Sequence, residues 1–268
     1  MSIANAAARP QRVIQGVCLV IAAAFTISIQ DVIFKLFSLQ LSLWQIFSLR
    51  ALLAMPMLLV LARVWGVEIK DLVMALTKWP LLRSLFLTLT FMCFYAAIPF
   101  LSLSTVGAAN YTAPIFVTLL SAYVIGEAVG RRGWIAVFMG FVSVIVLLQP
   151  GSDAFSPSVF LPLCGAVFYA LTHIITRTKC ASTPLPIMAM SLNTVMLTAG
   201  ALMSCVVLVW QPDETLVRAY PNVLGSWSPM GAKDWLILGV LSVFVIVITL
   251  LLTGAYQVAP PSTVATFE

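Results

Sequence analysis

The sequence predicts an all-α transmembrane fold, an inverted repeat of two five-helix units. Eight full helices and the start of a ninth fit within its 268 residues. Three observations predict it. First, 62% of the residues are hydrophobic, only 9% are charged, and the mean hydropathy is +1.08. With 14 Lys and Arg and 9 Asp and Glu, the chain cannot solvate the surface of a soluble particle of this size. Second, the apolar residues fall into runs of about 20, the length that crosses a bilayer core roughly 30 Å thick. Third, the runs resemble one another in order along the chain. Soluble enzymes, nucleic-acid binders, disordered chains and disulfide scaffolds are thereby set aside.

The spans are 13–37, 43–64, 81–101, 104–126, 133–149, 158–178, 185–210 and 235–256. Turn residues separate them: Trp79-Pro80, Gln149-Pro150-Gly151-Ser152, Thr183-Pro184 and the run 229–234. A ninth apolar stretch opens after Pro260-Pro261. The first span is too long for a cleaved signal peptide and carries Gln30, Asp31 and Lys35. Basic residues set the orientation. With the N-terminus in the cytoplasm, Arg9, Arg12, Arg63, Lys70, Lys78, Arg83, Arg131, Arg132, Arg177 and Lys179 fall on the cytoplasmic side. Only Arg218 and Lys233 fall opposite, while Lys35 and Arg50 lie within spans. The net charge of +5 is thus a topology signal and no footprint of nucleic acid. Of the cysteines, Cys18, Cys93, Cys164 and Cys205 lie in spans and read as small packing residues. Cys180 falls in a cytoplasmic loop.

At an offset of 143, Ala23, Phe25, Gln30 and Ser48-Leu49-Arg50 meet Ala166, Phe168, His173 and Ser191-Leu192-Asn193. At an offset of 158, Ala97 and Ser104-Thr105-Val106-Gly107 meet Ala255 and Ser262-Thr263-Val264-Ala265. The loop 211–232 accounts for the change of offset. Residues 13–149 then form a first five-helix unit, and 158–268 form a second that is incomplete at its C-terminus. Five is odd, so the second unit enters the membrane from the other side, an architecture of secondary transporters. The second offset puts the end of a tenth span near position 307, so the chain is expected to lack about 39 residues.

The stretch 100–117, with Gly107, Asn110 and Pro114 and a closing Gly126-Glu127, resembles the fourth helix of EamA-type carriers of the drug/metabolite transporter superfamily. The run from Gly133-Trp134 to Gln149-Pro150-Gly151 resembles the helix that follows. Asp31 to Lys35 with Gln45 to Arg50 is similar to the start of such proteins, most of all the branch with S-adenosylmethionine uptake and riboflavin carriers. Ala255-Tyr256, Ala259-Pro260 and 264–268 resemble the junction of the eighth and ninth helices. The resemblance implies ten helices in two inverted repeats and alternating access in the inner membrane.

An ionisable side chain at mid-bilayer costs about 2.5–3.5 kcal/mol on insertion scales, so each one calls for a reason. Asp31 and Arg50 lie roughly 9 and 12 Å from the same face and can pair across the first hairpin. That pair is either a static strut or an outer gate. Lys35 can snorkel outward. Glu268, roughly 9 Å deep with no basic neighbour in sequence, either binds a cationic group or packs as a neutral acid. His173, the only histidine, is a substrate contact or a hydrogen-bonded interior residue. It is no metal site without clustered ligands. Pro114 frees the carbonyl of Asn110 and so opens polar backbone beside Tyr111, or merely kinks the helix. Tyr95 and Tyr169 line the same cavity or pack. Glu127 either caps its helix and pairs with Arg131, or gates. The loop 211–232 is expected on the membrane surface.

The substrate-binding set is therefore Gln30, Asp31, Tyr95, Asn110, Tyr111, Tyr169, His173 and Glu268. Asp31, Arg50 and Glu127 form the gating or ion-pair set. No catalytic residue, metal or cofactor is expected. No phosphate-binding loop is present, so a gradient must drive transport. Asp31, Glu268 and aromatic neighbours suit an ammonium or sulfonium group, as in an amino acid or an S-adenosylmethionine-like solute. The expected partners are that small-molecule solute and the lipid bilayer. The alternative is a non-transporting membrane subunit or receptor.

Overall fold

A computed structural model describes residues 13–37, 41–97, 100–148 and 156–267. The side chains of Asp31, Lys35, Asn110 and Arg132, among others within helices, lie outside the description, as do residues 1–12, 149–155 and Glu268. Among the described residues all regular structure is helical: α1 Val13–Phe37, α2 Leu43–Val64, α3 Lys78–Ala97, α4 Leu103–Asn110, α5 Ala113–Leu120, α6 Arg131–Leu148, α7 Phe160–Lys179, α8 Leu185–Trp210, α9 Glu214–Ala219, α10 Pro221–Leu224, α11 Ala232–Val258 and α12 Pro261–Thr266.

Six of these helices are long and apolar enough to cross a membrane. The spans read at 13–37, 43–64 and 185–210 coincide with α1, α2 and α8. The fourth is not one continuous helix. Pro114 lacks an N–H and its ring crowds the carbonyl four residues back, so α4 stops at Asn110 and α5 begins at Ala113. Between them the Ala109 carbonyl accepts twice from Thr112, from its N–H at 3.1 Å and from its hydroxyl at 2.6 Å. After α5 a π turn, Ser121–Ile125, ends at Gly126, whose φ of 77° belongs to the left-handed region that glycine adopts freely.

The main seams are α2 on α8, α3 on α7 and α1 on α11, joined by α5 on α7, α3 on α8, α2 on α11 and α5 on α12. Apolar association supplies little between helices in lipid, so close packing and hydrogen bonds hold these seams. At the α2–α8 seam, a Cβ on Gly200 would lie 2.8 Å from the Trp44 carbonyl oxygen. Only glycine permits that approach. Trp44, Phe47, Ala51, Leu192 and Met196 fill the rest of this seam. Val20, Ala23, Ala170, Ala255 and Tyr256 form a second core where α1, α7 and α11 meet.

Connectivity puts the start of α2 and the end of α8 at one end of the bundle, and the start of α3 and the ends of α7 and α11 at the other. The first is the Gln45 end. There the loop after α8 covers the end of the bundle and is tied to it by hydrogen bonds. Trp44 Nε1 donates to the Val223 carbonyl at 2.7 Å. Gln45 Nε2 donates to the Ser228 carbonyl, and the Ser228 N–H donates to Gln45 Oε1, both at 2.9 Å. Trp227 Nε1 donates to the Ser204 hydroxyl at 2.8 Å. The buried amide of Gln45 thus meets two main-chain groups of Ser228 at once.

The second is the Gln257 end. Gln257 Nε2 donates to the Cys180 and Thr183 carbonyls at 2.8 and 2.9 Å, and Arg177 Nη1 donates to the Gln257 carbonyl at 2.7 Å. These bonds tie the turn after α7 to the end of α11. Cys180, read as a loop cysteine, is fully buried there, whereas Cys18, Cys164 and Cys205 are exposed on helix faces and do not pack inside. On the rim, Lys78 and Lys179 each place an ammonium 5.1 Å from the Trp79 ring centroid.

Candidate functional site

The most unusual polar group in the bundle is Arg83. The sequence pattern sets it among the basic residues of the cytoplasmic side, and the structure shows its side chain inside the bundle, 1% exposed. The helical stripe of Arg83, Leu87 and Thr90 faces inward, with Ser84 and Thr88 beside it, all buried. Nε donates to the Thr176 hydroxyl on α7 at 3.3 Å and Nη2 to the Thr253 hydroxyl on α11 at 2.8 Å. Nη1 has no hydrogen-bond partner. The ion pairs among the described residues, Lys70 with Glu68 and Arg218 with Glu214, do not involve it.

His173 lies on the same α7–α11 seam, three residues before Thr176. It is fully buried. Its ring stacks on Tyr256 at 3.6 Å between centroids and meets Tyr169 edge-on at 4.3 Å. Neither ring nitrogen has a hydrogen-bond partner. Tyr169 also packs against the α2–α8 core, as does Tyr95, which meets Phe47 edge-on at 6.2 Å. Tyr169, His173 and Tyr256 thus form a continuous aromatic column, and Tyr95 packs on the same core as Tyr169. Arg50 is half-buried, with Nη2 3.8 Å from the Met196 sulfur. Gln30 Oε1, at the repeat position of His173, is likewise buried without a partner.

Tyr111, another expected site residue, is 74% exposed. The side chains of Asp31 and Asn110, and all of Glu268, fall outside the described residues, and with them the Asp31–Arg50 pair. Glu127 accepts a hydrogen bond from the Ser121 hydroxyl and further bonds from Ser262. It thereby joins the end of the fourth span to α12, and it is not ion-paired with Arg131. Burial pushes its carboxyl pKa up, while the Ser262 bonds and the Arg177 charge pull the other way. Burial also pushes the Cys180 thiol up, against the charge of Arg83 and a bond from Thr183. No cluster of three metal-ligating side chains occurs among the described residues.

The EamA-like transporter family model matches residues 14–149, just over half of the 268. The chain belongs to the EamA-like transporter family. This EamA-like protein is accordingly a multi-pass membrane protein and not an enzyme. It is 22% identical to an S-adenosylmethionine uptake transporter of Rickettsia prowazekii, over 61% of this chain and 55% of that protein. It is 27% identical to a riboflavin transporter of Vibrio cholerae, over 59% and 47%. It is 25% identical to a pseudopaline exporter of Pseudomonas aeruginosa, over 60% and 56%. The chain spans about half the length of these curated relatives. A solved crystal structure superposes with a TM-score of 0.69 at 16% identity, covering 93% of this EamA-like chain and 82% of its own, a likeness of fold alone.

Proposed function

We propose that this protein is a secondary, alternating-access transporter of a small organic metabolite in the inner membrane, with its N-terminus in the cytoplasm. The observation that carries the reading is His173: fully buried, between two tyrosines, with both ring nitrogens unpartnered. A buried polar group left unmet costs about 1–3 kcal/mol, and in a transporter a passing solute can meet it. The helix pairing supports two inverted units, 13–149 and 158–268. Exchanging the units turns the α3–α7 pair into the α11–α1 pair and leaves the α2–α8 and α5–α12 pairs as themselves. Each of these pairs packs, and so do α3 on α8 and its counterpart α2 on α11. Tyr95 on α3 and Tyr169 on α7, which pack against the same α2–α8 core, support a site between the two units.

The relatives named for S-adenosylmethionine and riboflavin support a metabolite of that size. A zwitterion such as an amino acid or an S-adenosylmethionine-like solute suits Asp31, Glu268 and the aromatic side chains. Counterflow into proteoliposomes tests this. Preloaded S-adenosylmethionine or amino acids are expected to drive uptake of the labelled solute, and Asp31→Asn and Glu268→Gln to slow it roughly tenfold, or about 1.4 kcal/mol. Equal flux of anionic, neutral and zwitterionic solutes, unaffected by both substitutions, would overturn the assignment.

A further inference from the structure

We propose that Arg83 anchors a carboxylate on the transported solute. The inference rests on the transport reading above and names a chemical group that its solute carries. A guanidinium has five N–H donors in a fixed plane and never loses its charge in a protein. Here the Thr176 and Thr253 hydroxyls hold it by Nε and by one N–H of Nη2. The buried Nη1 is left open beside the second N–H of Nη2. Two parallel N–H groups along that edge match the two oxygens of a carboxylate. A carboxylate there would also neutralise a buried charge, whose isolation costs several kcal/mol.

Hydroxyls are weak partners for a cation, and this is what makes the arrangement suited to exchange. A glutamate in their place would hold the arginine permanently. Threonines fix the plane and leave the edge to a mobile ligand. His173, three residues from Thr176 on the same helix, adds a second unpartnered polar group on the seam. Its imidazole lies within electrostatic reach of the Arg83 charge.

Phenylglyoxal labelling of the full-length protein in liposomes, read by peptide mass spectrometry, tests the anchor. The exposed Arg63 serves as the internal control. If a solute path reaches Arg83, it labels in the folded protein. L-Methionine and succinate should then slow its labelling roughly tenfold, while L-methioninamide and succinamide leave it unchanged. Labelling of Arg83 only after denaturation would make it a static strut and overturn the proposal. Equal protection by acids and amides, or protection by neither, would overturn it too. Counterflow on the same vesicles separates the two readings. Flux without acid-specific protection removes the anchor and leaves transport standing. Acid-specific protection without flux keeps the anchor and removes transport.

Discussion

The two ends of the bundle are both closed by glutamine, but what lies behind each closure differs. At the Gln45 end the side chain meets the backbone of the loop that covers it, and beneath it Phe47 and Leu192 are apolar while Ser48 Oγ and Gln30 Oε1 are buried without partners. At the Gln257 end the side chain ties one turn to one helix end, and behind it sit Arg83 and His173 with unmet polar atoms. Unmet polar atoms are therefore found toward both ends, and the difference is one of charge: among the described residues, only the Gln257 end sets a fully buried guanidinium and imidazole behind its closure.

The sharpest way to break that contrast is at the aromatic column. Tyr256→Ala removes a fully buried ring from both the α1–α11 core and the His173 stack. It should cost about 3–5 kcal/mol, seen as a large fall in thermal midpoint in detergent. Gly200→Ala, at the seam that serves the other end, forces a methyl against the Trp44 carbonyl and should cost about 1–3 kcal/mol. Gln45→Ala and Gln257→Ala should each cost about 1–3 kcal/mol. Hydrogen exchange should localise the first to 221–231 and the second to 180–184. If both variants loosened the same segment, the two closures would not be separate.

The smallest effect concerns Glu127. Its folded-state pKa is raised above the ordinary carboxylate value of 4.5. The folded protein therefore holds that proton over a range where the unfolded chain has released it, and stability falls as pH rises from about 4.5 through the folded value. Glu127→Gln should flatten that part of a midpoint-against-pH curve. An unchanged slope would show that burial does not control this carboxyl.

Much of the fold was legible because long apolar runs with turn residues between them leave few alternatives. The bounds of α1, α2 and α8 follow from the runs alone. The break at Pro114 was legible as chemistry, though not its extent, since the second hydrogen bond at Thr112 depends on side-chain geometry. Arg83 was missed for a physical reason. A basic residue five positions into a helix reads as an edge anchor, because in most helices the long side chain reaches back to the interface. The signal that separates the two cases is the stripe of Ser84, Thr88 and Thr90 beside it, which sequence reading passed over. Gln45 and Gln257 were missed because an amide near a helix end carries no pattern, and their partners lie 183 and 77 residues away.

Trp79 sits with one lysine from α3 and one from α7 over its ring, each 5.1 Å away. The two ammonium groups impose an electric field on the indole, and the colour of its emission depends on that field. Any motion that parts α3 from α7 removes Lys179 and keeps Lys78. With the other six tryptophans replaced by phenylalanine, the protein would carry its own optical gauge of opening at the Gln257 end, needing no attached dye.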